Sequence, residues 1–194
     1  IHQGKIDRNM IFEKEIRYLL FVTNDNLGGT QQFELNYIKE HKHIIVLRRK
    51  SYGERPDLIY EITNCDTNRS YLFYLKELDF LWKQLFSSII VNSMVHYSEV
   101  FTFLQNIVIY RRNNSSCRLI YMVHDFNAIC VNCNLFVGDH YCGMQCKDEE
   151  CLLSIADTAI EIGTWRKKWF TFLSTCDEIR CFSNSSEMLM IQAY

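Results

Sequence analysis

The residues best suited to chemistry stand where short apolar runs stop. His124-Asp125 follows Arg118-Leu119-Ile120-Tyr121-Met122-Val123, the strongest strand signal in the chain. In an open α/β sheet, ligands bind just beyond the carboxyl ends of the strands. An imidazole there can donate to a hydroxyl or a phosphate, or carry a proton. The plainer alternative is a His-Asp pair that only holds the loop. Gly28-Gly29-Thr30 follows the apolar run 17–23. Glycines let a backbone approach a ligand closely, and the helix behind them offers free N–H groups to an anion. A tight strand-to-helix turn would use the same residues. Ser183-Asn184-Ser185-Ser186 follows the last apolar run and offers hydroxyls as well as a helix cap.

Cysteine supplies the other candidate chemistry. Five of the chain's nine cysteines, Cys130, Cys133, Cys142, Cys146 and Cys151, crowd into the segment 126–151. Four thiolates can hold zinc tetrahedrally, with His140 as a substitute ligand. Cys130, Cys142, Cys146 and Cys151 are the expected set, and Cys133 is the alternate. Reduced free thiols and disulfides stay open. Any zinc here is expected to be structural, and none is expected to serve catalysis.

These groups need elements to position them. Residues 17–23 read as a buried strand, 31–39 as a helix capped by Thr30, and 43–47 as a second strand ending at a solvated Arg48-Arg49-Lys50. Residues 58–62 and 71–75 read as a hairpin, 78–86 as a helix and 88–92 as a strand. A helix over 97–110 leads to the strand 118–123. The segment 126–151 breaks the alternation and reads as an ordered insertion. Residues 152–175 read as helical, in pieces around Gly163. A strand over 178–182 and a helix from Glu187 close the chain. The alternation predicts an α/β fold with a doubly wound, mainly parallel Rossmann-like sheet and a Cys-rich loop insertion.

Composition narrows the function classes. The net charge of −2 gives no electrostatic case for nucleic acid. No apolar run approaches the roughly 20 residues that span a bilayer. The start has no signal-peptide pattern, which points to the cytoplasm. The chain has no Gly-x-Gly-x-x-Gly after its first strand and no P-loop Lys-Ser/Thr, which argues against a dinucleotide enzyme or a kinase. The start without methionine and the stop at Ala193-Tyr194 both read as cuts. Trp165 and Trp169, four apart around Arg166-Lys167-Lys168, share a helix face. That face either packs on the sheet or touches a membrane surface.

Taken in order, these pieces resemble bacterial family-4 glycosyltransferases of the surface-polysaccharide type. The carriers are Gly28-Gly29-Thr30, the stretch 90–97 with His96, and Val123-His124-Asp125-Phe126-Asn127-Ala128-Ile129-Cys130. Asn134-Leu135-Phe136, Tyr141-Cys142, the stretch 165–170 and Cys181-Phe182-Ser183-Asn184-Ser185-Ser186 complete the set. The chain departs from the family at Val131, where a proline is usual, and at the Cys146-x4-Cys151 spacing. The resemblance implies a two-domain GT-B enzyme that retains anomeric configuration, with 1–194 as its N-terminal, acceptor-side Rossmann-like domain. A C-terminal donor-binding domain would be absent from this chain. It implies a nucleotide-sugar donor, a glycan or lipid-linked acceptor, and a cytoplasmic location at the inner membrane surface. His124 and Asp125 would be the catalytic pair. Gly28, Gly29, Thr30, His96, Ser183 and Asn184 would bind substrate. A zinc-stapled interaction module without enzymatic activity is the alternative.

Overall fold

The computed structural model describes residues 10–25, 28–50, 59–95, 97, 99–137, 139–144, 152–155 and 158–194. It is an α/β fold built on a seven-stranded, mostly parallel sheet. The strands are β1 (Tyr18–Asn24), β2 (Ile44–Lys50), β3 (Ile59–Asn64), β4 (Arg69–Tyr74), β5 (Phe86–Val91), β6 (Arg118–Val123) and, later in the chain, β11 (Glu178–Cys181). Their order across the sheet is β11-β6-β5-β1-β2-β3-β4. β1 lies parallel to both β2 and β5, β6 follows β5, and β11 follows β6. β3 and β4 form the antiparallel hairpin at one side. The order turns around at β1: the chain first builds away on one side, then returns to build on the other.

Helices cover both faces. α1 (Gly29–Glu40) lies on one, where Phe33, Tyr37 and Ile38 pack against Phe21, Ile44, Val46, Ile90, Ile120 and Met122. The opposite face carries the larger core. There Leu20, Val22, Ile45, Leu47, Ile89, Val91, Leu119, Tyr121 and Val123 meet α2 (Val100–Asn113), α3 (Ile162–Leu173) and a 3-10 helix over Leu75–Lys83. Successive strand residues point to opposite faces, so this division is the period-2 pattern of each apolar run made physical. α4 (Asn184–Ala193) follows β11 and adds Met190 to the larger core.

Several sequence expectations need correction. α1 begins at Gly29 with Gly28 at its N-cap and no side-chain cap, so Thr30 lies inside the helix. Glu34 is buried on α1 while Leu35 is exposed, the reverse of what hydrophobicity alone suggests. β2 extends through Arg48-Arg49-Lys50 because β3 pairs with that stretch. Arg48 and Lys50 are half-buried and ion-paired with Glu61 rather than solvated. The 3-10 helix ends at Lys83, and Phe86 already belongs to β5. Residues 152–155 and 158–161 are not helical: β9 (Leu152–Ile155) and β10 (Thr158–Glu161) pair antiparallel, and α3 starts at Ile162. A short apolar run fits either state, and here local strand pairing wins. α4 starts at Asn184, ahead of Glu187, with Ser183 as its N-cap accepting from the Ser186 N–H.

The described residues of the insertion form turns and a small antiparallel pair, β7 (Phe136–Val137) with β8 (His140–Tyr141). Its first part is pinned to the core. Trp165 Nε1 donates to the Asn127 carbonyl at 2.8 Å, and Tyr194 Oη donates to the Ala128 carbonyl at 2.5 Å. Trp165 and Trp169 are buried, so the face they share packs inward and is not available to a membrane. Among the described residues no helix is long and apolar enough to cross one.

Candidate functional site

The parallel strands β2, β1, β5, β6 and β11 all end on one rim. Alternation sorts the residues at that rim by face. Arg49, Asn24, Ser93 and Asp125 continue the parity of the larger core. Arg48, Thr23, Asn92 and His124 continue the parity of the α1 face.

The first set forms a connected row. Asn24 Nδ2 donates to Ser93 Oγ at 2.9 Å, and Ser93 Oγ donates to Asp125 Oδ2 at 2.8 Å. The second Asp125 oxygen accepts from the Asn127 N–H at 2.9 Å. Asn24 Nδ2 also reaches the Val95 carbonyl at 3.3 Å. One hydrogen-bonded chain thus ties together the ends of three adjacent strands at the point where strand order reverses. Ser93 and Asn24 are buried, while Asp125 is half-buried. Tyr97 Oη closes the loop after β5 by donating to the Thr23 carbonyl at 2.7 Å.

The glycines follow β1 at the same rim. Gly28 has φ 121° and ψ −151°, a conformation essentially restricted to glycine. Gly29 is under no such constraint, yet among the described residues nothing lies within 4 Å of where its Cβ would be. Neither backbone strain nor internal packing demands a glycine at 29. The space in front of it lies open at the α1 N-terminus, where the first-turn N–H groups have no intrahelical acceptor.

The α1-face set is packed more tightly. Asn92 Nδ2 donates to Thr23 Oγ1 and to the Thr30 carbonyl, each at 3.3 Å, joining β5 to the start of α1. Asn92 Oδ1 is buried without a partner among the described residues. The His124 ring stacks on Phe182 at 4.2 Å between centroids and meets Phe33 edge-on at 5.0 Å. Its Nε2 is buried and unpartnered among the described residues. Burial pushes the imidazole pKa down to about 4, so the ring is neutral at physiological pH. His124 and Asp125 therefore share a rim but point to opposite faces, and the half-buried imidazole is stacked on Phe182, which is itself exposed.

A buried ion pair next to this set was not anticipated. Glu34 on α1 is 1% exposed and accepts from Arg48, which also donates to Glu61 at 2.9 Å. Burial raises the Glu34 pKa, and Arg48 opposes that rise. A carboxylate between the apolar positions Phe33 and Tyr37, with paired arginines at a strand end, was the signal available in the sequence.

The other anticipated residues lie elsewhere. Ser183 Oγ accepts from the Ser186 N–H at 3.1 Å and serves α4 as a cap, with Asn184 exposed in the first turn. His96 lies outside the described residues. Cys130 is buried in the core, Cys142 packs against it, and Cys133 is half-buried with burial raising its thiol pKa. These three are free thiols. Among the described residues no group of three or more His, Cys, Asp or Glu side chains comes together to hold a metal. Cys146 and Cys151 lie outside the described residues.

No family model matches this chain, and no curated protein matches it. Among solved structures it is similar to a DUF4886 family protein from Bacteroides uniformis. The identity is 13%, the TM-score is 0.31, and the match covers 55% of this chain and 49% of that one. This chain thus matches about half the length of that protein, and a likeness so slight carries no argument about fold or function.

Proposed function

We propose that this chain is the acceptor-side half of a glycosyltransferase and that it holds a hydroxyl-rich ligand at the carboxyl rim of its sheet. The observation that carries this reading is the open space at Gly29 by the α1 N-terminus, on the same carboxyl rim of the sheet that holds the Asn24–Ser93–Asp125 row. A sugar offers closely spaced hydroxyls, each both donor and acceptor. A fixed carboxylate such as Asp125 accepts from such a hydroxyl, and backbone N–H groups at the helix start donate to one or to a phosphate.

The chemistry of sugar transfer fits these parts. Breaking a sugar–diphosphate bond develops positive charge on the ring and negative charge on the departing phosphate. Fixed N–H groups at 28–30 favour the negative charge, and the oriented Asp125 carboxylate holds the reacting hydroxyl in place. His124 is neutral and stacked on Phe182, with its Nε2 buried, so the carboxylate rather than the imidazole carries the contact to the ligand in this reading. In this reading the grip on the nucleotide diphosphate belongs to a donor-binding domain, so this chain alone is expected to bind sugar without transferring it.

Saturation-transfer NMR on the whole chain, with a panel of neutral oligosaccharides and with UDP as a separate probe, tests the reading. At least one oligosaccharide should receive saturation. Gly29→Val, which fills the open space, and Asp125→Ala should each weaken that binding about tenfold or more, a loss of about 1.4 kcal/mol or more. Absence of any sugar binding, or binding indifferent to both substitutions, would falsify the proposal. Elemental analysis for zinc separately tests the metal-stapled alternative.

A further inference from the structure

β11 is an edge of the sheet, and its outer side has no neighbouring strand among the described residues. Beside it runs a groove of about 720 Å³, walled by Phe170 and Leu173 of α3, by β11 itself, and by Met190 and Ile191 of α4. The surface around this groove is unusually apolar. Phe170, Ile179, Phe182, Ile191 and Tyr194 line the groove and are exposed, at 52%, 42%, 52%, 66% and 37%. Scattered exposed apolar residues need no explanation, but a contiguous patch against an open strand edge marks an interaction surface. The shape is that of a slot for one more strand.

We infer that the slot is filled by β11 of a second copy of this chain, paired antiparallel about a two-fold axis through Ile179. The Asn92 N–H bonds to the Val22 carbonyl, and carrying that alternation through the registers of β5, β6 and β11 turns the N–H and C=O groups of 178 and 180 towards β6 and those of 179 and 181 outward. The latter are the groups an added strand would engage. In a continuous sheet made by two-fold symmetry, opposed residues share a face, so their numbers must sum to an even value.

Charge then selects the register. Centring the axis on Ile179 sets Glu178 opposite Arg180 of the second copy, and Arg180 opposite Glu178 of the second copy. Shifting the axis by one residue either way sets Glu178 against Glu178 or Arg180 against Arg180. Like charges directly opposed disfavour a strand pair, and opposite charges favour it. The strand is therefore complementary to itself in one register. That register also brings Ile179 against Ile179 of the second copy and places the apolar sides of the two α4 helices over the joined strands. A two-fold interface needs this kind of self-complementarity. The inference is independent of the rim and of any ligand bound there.

Sedimentation-velocity ultracentrifugation of the whole chain over a concentration series tests it. The chain should sediment as a dimer at high concentration. Arg180→Glu should weaken the dimer about tenfold or more by opposing two carboxylates, and the double variant Glu178→Arg with Arg180→Glu should restore it. Because Glu178 also accepts from Arg118 at 2.5 Å, the double variant could disturb folding. Ile191→Glu, on an exposed site, provides an independent check and should give a folded monomer by circular dichroism. A wild-type chain that stays monomeric at every concentration overturns the inference and assigns the slot to a different strand. So does a dimer that survives both Arg180→Glu and Ile191→Glu. A dimer broken by Ile191→Glu but not restored by the folded double variant overturns the register.

Discussion

Replacing Ser93 with alanine isolates the row that joins the strand ends. The substitution removes one hydroxyl and almost no volume, so its cost comes from hydrogen bonding rather than from a cavity. Three bonds disappear: the one Ser93 donates to Asp125 at 2.8 Å, the one it accepts from Asn24 at 2.9 Å, and a long one it accepts from the Val95 N–H at 3.4 Å that adds little. A bond to a carboxylate contributes about 1.5–3 kcal/mol net and a neutral one about 1 kcal/mol. Asn24 keeps its contact with the Val95 carbonyl and Asp125 keeps the Asn127 N–H, so neither group is left wholly unsatisfied. The expected loss is therefore about 2.5–4 kcal/mol. Urea unfolding followed by tryptophan fluorescence reads it directly. With a slope of about 2 kcal/mol per molar urea, the midpoint should fall by about 1 M or more. Ser87→Ala is the control. That hydroxyl, on an exposed residue, donates to the Tyr18 carbonyl at 3.2 Å, and its loss should cost about 0.5 kcal/mol. Combining Ser93→Ala with Asp125→Ala should cost less than the sum of the two, because both break the same bond. A loss below about 1 kcal/mol, or additivity to within about 0.5 kcal/mol, would refute the view that this row is a coupled structural unit.

The adjacent glycines should respond in opposite ways. Gly28→Ala should destabilise by about 1–3 kcal/mol because of its backbone conformation, whereas Gly29→Ala should leave stability equal or raise it by up to about 1 kcal/mol; thermal melts of the pair decide this. His124 should titrate near pH 4 by NMR, well below the usual 6.5. Since the unfolded chain then binds a proton that the folded chain refuses, stability should fall as pH drops from 6.5 towards 4, and His124→Gln should flatten that dependence. Trp165→Phe should cost about 1–3 kcal/mol by orphaning the Asn127 carbonyl, with faster hydrogen exchange at 127–130 as its local signature.

The carboxyl-rim location of His124-Asp125 and of the glycine loop was legible because strand ends are marked by the sharp stop of apolar runs. Ser93 and Asn24 were not singled out. Each is an ordinary polar residue at the end of a strand, and only sheet pairing brings 24, 93 and 125 together. Burial of Glu34 was hidden for a similar reason: its partner Arg48 lies on a different element. The β9–β10 pair was misread as helix because both states fit a short apolar run, and pairing between its own halves decides it.

What the amino-acid order determined by itself was the alternation of strands and helices, hence the α/β class and the two-faced sheet, because periodicity is a local property carried by each segment. Only the tertiary structure decided which neighbours at the rim cooperate. His124 and Asp125 are adjacent in sequence, yet alternation across the sheet sends the imidazole under Phe182 and the carboxylate into a hydrogen-bonded row. That division depends on what each face is packed against, and no single segment contains that information.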